Sequence, residues 1–303
     1  MANFVLLGVC FSLGALARRF SGLGPEAPRV LNLWVIWAAL PALVVRTVHT
    51  ISFEPKMLVG TLGLWLILGL AIGAAVLAVR RGWADRSTAG AVLLCAGLGN
   101  TVYIGLPLIE AIAGRSAMET ASVIDQLGTF LALSTVAVPV AMLFSGQTPS
   151  ALAVVRKVLT FPPFLAMVTG VALRGVALPA VVETVLSRLS DTLTPMTLVA
   201  LGFQWSLSSL QGLARPMMVG LGYKLVLAPV VMWLLMFAVD RQMTLITHMS
   251  VLQAAMAPML TAGVLAEEFK LRPALASSLI AVGTPLSFLT VPLWHWLLSR
   301  GGA

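Results

Sequence analysis

Two interrupted apolar segments hold the residues best placed to do chemistry. The first, Leu93–Pro107, reads LLCAGLGNTVYIGLP, and the second, Leu252–Leu265, reads LQAAMAPMLTAGVL. Gly99-Asn100-Thr101 breaks the first and Pro258 breaks the second. Asn100 suits an N-cap, and Pro258, with no N–H and a fixed φ, suits the first turn of a new half-helix. Two half-helix N-termini meeting inside a bilayer would each carry about half a positive charge and free N–H donors. Such a place favours an anion without a buried arginine. Gly99, Asn100, Thr101, Pro258 and Met259 are therefore the expected binding residues, with side-chain donors on Asn100 and Thr101.

Two charges sit inside apolar segments, where charge is costly and functional by default. Asp125 lies next to Gln126, and Lys224 lies in YKLVLAPVV at 223–231. At 1.5 Å per residue, Asp125 falls about 12 Å below one membrane face and Lys224 about 13 Å above the other. In a ~30 Å hydrocarbon core their depths differ by about 5 Å. They are read as a proton-coupling site or as a static ion pair. Glu110, Glu267 and Glu268 fall nearer segment ends, where water reaches them. His49, His248 and His295 are isolated in sequence, and no spacing suggests a metal site. Cys10 and Cys95 occupy different apolar segments and read as packing residues.

The elements that must position these groups follow from composition. Hydrophobic residues are 59% of the 303, and charged residues are 10%. A soluble domain carries about 25% charged residues, so the chain reads as an all-α polytopic membrane protein. The alternation of a membrane β-barrel is absent. The N-terminus has no Lys or Arg before its apolar run, so it reads as a first span and not as a signal peptide. The net charge of +8 is spread over short loops. It forms no basic run of the kind that binds nucleic acid.

With about 20 apolar residues per span, ten spans are expected: 3–20, 30–48, 57–79, 88–113, 117–143, 155–173, 191–210, 216–239, 243–266 and 273–299. Residues 178–190 read as a short amphipathic helix, and 144–157 is the widest polar joint. Loops after odd-numbered spans carry eleven Lys/Arg and the other side seven, with Lys224 inside a span. The bias puts 144–157 in the cytoplasm and both termini outside the cytoplasmic membrane.

The halves repeat. MLVG at 57–60 matches MMVG at 217–220, and AVRR at 78–81 matches AVDR at 238–241. Ser122, Gly128, Thr129 and Thr135 recur as Ser277, Gly283, Thr284 and Thr290. A similar register sets Gly99 opposite Pro258, whereas Asp125 and Lys224 face Ile280 and Leu64 and break the symmetry. Five spans is an odd number, so a repeat at 1–143 and a second at 158–303, joined by 144–157, would be inverted. A pair of interrupted spans in corresponding halves points to a transport site.

GLGNTVYIGLPL at 97–108 resembles the fourth-span signature of the auxin efflux carrier family of secondary transporters, which includes bacterial malate and malonate permeases. LVALGFQWSL at 198–207, YKLVLAPVV at 223–231 and the segment 254–293 are similar to it as well. The resemblance implies two inverted five-helix repeats, related to sodium/bile-acid symporters, with spans four and nine broken and crossing. It implies a scaffold of spans 1, 2, 6 and 7, often a homodimer interface, and a transport domain of spans 3–5 and 8–10. The crossing would lie at Gly99-Asn100 and Pro258, with Asn100 on the substrate. The plant carriers have proline at the place of Gly99, a polar residue at that of Met259, and a long cytoplasmic loop. These departures point away from auxin and toward a prokaryotic-type carrier of small carboxylates.

The expected function is alternating-access transport of small organic anions, driven by protons, membrane potential or anion exchange, without an organic cofactor. Sodium coupling is the alternative, with protons favoured because no cluster of acidic and carbonyl ligands demands Na⁺. An intramembrane enzyme would need paired catalytic residues within spans, and a sensor would need an output domain; neither is present in the sequence.

Overall fold

The computed structural model describes residues 2–20, 22–24, 26–50, 54–146, 152, 155–156, 159–204, 213–239 and 241–300. Most of the 144–157 joint and the end of the 198–207 segment lie outside the described residues. Among the described residues the regular structure is helical, and the only extended pairing is an isolated antiparallel bridge.

Five helices are long and apolar enough to cross a bilayer: α2 (Ala27–Thr50), α3 (Pro55–Arg80), α6 (Arg115–Phe144), α10 (Ala214–Val239) and α13 (Pro273–Arg300). Between and around them run α1 (Ala2–Phe20), α4 (Arg86–Gly97), α5 (Thr101–Ala113), α7 (Pro162–Ala172), α8 (Ala180–Asp191), α9 (Leu193–Gln204), α11 (Leu245–Ala254) and α12 (Leu260–Glu268). The chain is thus a multi-pass helical membrane protein. Local chemistry sets the helix starts. Pro55 opens α3 at the first turn, where its missing N–H costs nothing. Asp85 caps α4 and Thr244 caps α11, each accepting from the backbone N–H three residues on.

The chain divides into two compact units. The first comprises residues 1–53, 102–126 and 159–206. Within it α1 lies along α9 at backbone distance: a β-carbon on Gly14 would overlap the Val199 carbonyl, and one on Gly202 would overlap that of Phe11. Without a hydrophobic force between helices in lipid, such close approach is what holds them together. An ionic network ties other elements of this unit. Arg115 donates to Asp191 and Ser190 at 2.8 Å each, Arg46 to Glu119 at 2.8 Å, and Thr194 to Glu110 at 2.8 Å. Glu110, still partly exposed, thus has a protein partner as well, because α9 brings Thr194 to it.

The second unit comprises residues 54–101, 127–158 and 207–303. Its α4 and α11 are 12 and 10 residues long, about half the length that a ~30 Å core requires. Asp85 at the start of α4 also receives the Thr88 hydroxyl at 2.6 Å. Those Thr88 hydrogen bonds hold its carboxyl below the ordinary aspartate range. The stabilisation is present above the unfolded-state pKa and is lost as pH falls through the depressed folded value. Asp85→Ala should cost about 1 kcal/mol or less near neutral pH. The cost should fade on acidification, as read by thermal unfolding across pH.

Candidate functional site

Both breaks lie in the second unit and pair with each other. Gly99 and Pro258 form the antiparallel bridge. Asn100 N–H donates to the Ala257 carbonyl at 2.8 Å, and Met259 N–H donates to the Cys95 carbonyl at 3.3 Å. Extended backbone buried in a membrane protein must find its partners inside the protein, and here each break supplies them to the other. Gly283 of α13 backs the pair, since a β-carbon there would overlap the Pro258 ring.

This pairing changes the expected role of Pro258. The proline does not open the half-helix: α12 begins at Leu260, with Met259 extended before it (φ −72°, ψ 125°). Pairing with Gly99 keeps Pro258 in extended backbone outside the helical turn. On the other side the helix resumes at Thr101, whose hydroxyl donates to the Gly99 carbonyl at 3.4 Å.

Lys224 reaches the break. A β-carbon on Gly99 would stand 3.0 Å from Lys224 Nζ and 3.3 Å from the Gln253 carbonyl oxygen. Glycine at 99 therefore leaves room for an ammonium against the bridge, and Lys224 itself is 1% exposed. Asn100 is equally buried, and its Nδ2 has no hydrogen-bond partner among the described residues. Gly99, Asn100, Thr101, Pro258 and Lys224 are thus gathered at one place, with Met259 half-buried beside them. Asp125 belongs to the first unit, where it is buried and accepts from Gln126 Nε2 at 3.3 Å.

The chain matches the family described as membrane transport protein over residues 3–148 and 147–295. It belongs to that family, the family of the auxin efflux carriers. A relative described as an uncharacterized transporter, from Methanothermobacter thermautotrophicus, is 26% identical over 289 residues, covering 94% of each chain. Within this membrane transport protein, two features of the site escape sequence reading. Gln253, next to the motif residue Leu252, is fully buried beside Gly99; a polar residue in an apolar run was the available signal. The other is the support of Lys224. The lysine sits in a widened π-type turn, Tyr223–Leu227, five residues ahead of Pro229. Pro229 has no N–H to give the Leu225 carbonyl. Trp294 of α13 donates its indole N–H to that carbonyl at 3.0 Å instead. Trp294→Phe would orphan a buried acceptor at a cost of about 1–3 kcal/mol. It should lower the unfolding midpoint and loosen the turn that carries Lys224, which thermal unfolding and substrate affinity would register together.

The histidines also differ from their sequence reading. His248 and His295 are 47 positions apart, yet their ring centroids stand 5.7 Å apart, because the two lie on neighbouring helices α11 and α13. No group of three or more His, Cys, Asp or Glu suited to a metal ion occurs among the described residues.

Proposed function

We propose that the chain is a secondary active transporter of small organic carboxylate anions, with substrate held where the two breaks pair. The observation that carries this reading is the Lys224 ammonium against Gly99, next in the chain to Asn100, whose buried Nδ2 has no hydrogen-bond partner among the described residues. A buried ammonium and a buried orphan donor are both costly until something negative arrives. A carboxylate satisfies both, and the start of α12 adds N–H donors on the same side of the charge balance. The same ammonium disfavours Na⁺ at this place through like-charge repulsion, so proton coupling is assigned to Asp125, the acid farthest from a span end.

The reading extends to architecture. Helices α4 and α11 each begin at a capped residue and are about half a span long, as the first halves of spans four and nine of a ten-span inverted repeat would be. Alternating access would present the crossing first to one face of the cytoplasmic membrane and then to the other, with both termini outside.

Uptake of labelled malonate, malate and indole acetate into proteoliposomes tests the proposal. Saturable uptake of the small dicarboxylates, driven by a proton gradient, is expected. Asp125→Asn should remove the gradient dependence. Folded protein that moves no member of a broad carboxylate panel would overturn the reading.

A further inference from the structure

A cavity of about 680 Å³ opens in the second unit, and its inner end, at Ala96 and Tyr223, approaches the paired breaks. Its walls come from three helices, each presenting small or apolar residues one and two turns apart. Ala71, Ala75 and Ala78 line it from α3, and Ala89 and Ala96 from α4. The third wall is α10, where Val219 is 62% exposed. Seven residues from Ala71 to Ala78 span about 10 Å, so the trough runs from the helix ends into the hydrocarbon region. The alanine and valine walls offer water and ions few polar partners along the inner trough.

The mouth has the opposite character. Arg215 and Arg272 flank it, with Trp83 exposed between the loops and Arg81 stacked over the Trp83 ring at 5.8 Å. Arg272 is fixed there: it donates to Thr88 Oγ1 and lies 3.5 Å from Asp85 Oδ2. Arg215 has no carboxylate partner among the described residues. Three cations against one carboxylate leave the mouth positive. The Lys/Arg count assigns this end to the cytoplasmic face, where anionic lipid is presented.

We propose that this cavity is a binding site for an anionic phospholipid, with an acyl chain in the alanine-walled trough and the phosphate between Arg215 and Arg272. Charge selects the headgroup: a zwitterionic lipid would bring its own cation against the two guanidiniums. Trp83 marks the headgroup level, where tryptophan is enriched.

The test uses the full-length protein in detergent, titrated with dioctanoyl phosphatidylglycerol, dioctanoyl phosphatidylcholine or glycerol 3-phosphate while thermal unfolding is followed. Phosphatidylglycerol should raise the midpoint saturably, and the other two should not. Arg215→Gln should weaken the phosphatidylglycerol response about fivefold, the worth of one basic residue near anionic lipid. Ala75→Trp should fill the trough and abolish the response; should that variant not fold, Arg215→Gln decides. Equal responses to the two lipids, or an unchanged response in Arg215→Gln, would overturn the site. A response to glycerol 3-phosphate matching that of the lipid would overturn it in favour of a soluble phosphate ligand. Carboxylate binding at the crossing is read separately with malonate and should be unaltered in both variants.

Discussion

Lys224→Met should leave the protein folded and remove its affinity for carboxylates. The ammonium stands against Gly99 in a site with 1% exposure, so an anion bound there would meet it with little water between. A hydrogen bond to a charged group is worth up to about 3 kcal/mol. At 1.4 kcal/mol per factor of ten, its loss weakens binding by up to about a hundredfold. Methionine keeps the length and the apolar stem, so packing is preserved. The stability of the ligand-free protein separates two roles for the lysine. A group held for substrate is a burden without it, and Lys224→Met should then raise the unfolding midpoint or leave it unchanged. A member of a structural ion pair leaves its partner stranded, a loss of about 3–5 kcal/mol. Thermal unfolding with and without malonate measures both quantities in one experiment. A lowered midpoint with malonate stabilisation intact would assign Lys224 to structure.

The breaks themselves were legible because Gly, Asn and Pro are strong punctuation inside an apolar run. Gly99-Asn100 and Pro258 needed no tertiary information to stand out. Lys224 was legible as a cost, since a charge in a span calls for an explanation. Its neighbour was not. A helix apolar on all sides gives no sign of which face turns inward, so the depth of Lys224 could be counted but not its approach to Gly99. The role of Trp294 was hidden for a related reason. It answers a vacancy created by Pro229 on another helix, 65 positions away, and no local pattern links an indole to a distant carbonyl. Pro258 illustrates the opposite failure. Its local preference for a first helical turn is sound, but the bridge to Gly99 overrides it and moves the helix start to Leu260. Thr194 as a partner of Glu110 was hidden as well, because it comes from a segment with no sequence relation to it.

Asn100→Ala should move stability and function in opposite directions. The amide Nδ2 of Asn100 is buried without a partner among the described residues, a penalty of about 1–3 kcal/mol that alanine does not carry. The backbone N–H that joins the breaks, from Asn100 to the Ala257 carbonyl at 2.8 Å, is untouched by the substitution. The ligand-free variant should therefore unfold at the same temperature or higher. Its substrate loses one donor to a carboxylate, about 1.5–3 kcal/mol, which is roughly a ten- to hundredfold loss in affinity. Asn100→Asp sharpens the contrast. It keeps the shape, replaces the donor with a negative charge one residue from the glycine that Lys224 reaches, and should exclude an anionic substrate altogether. If Asn100 instead served only to shape the break, both substitutions would lower the midpoint and malonate would still stabilise what remained folded. Measuring the malonate-induced shift in the wild type and the two variants decides between these outcomes. The expected order, wild type above alanine and alanine above aspartate, follows only if the side chain faces the anion.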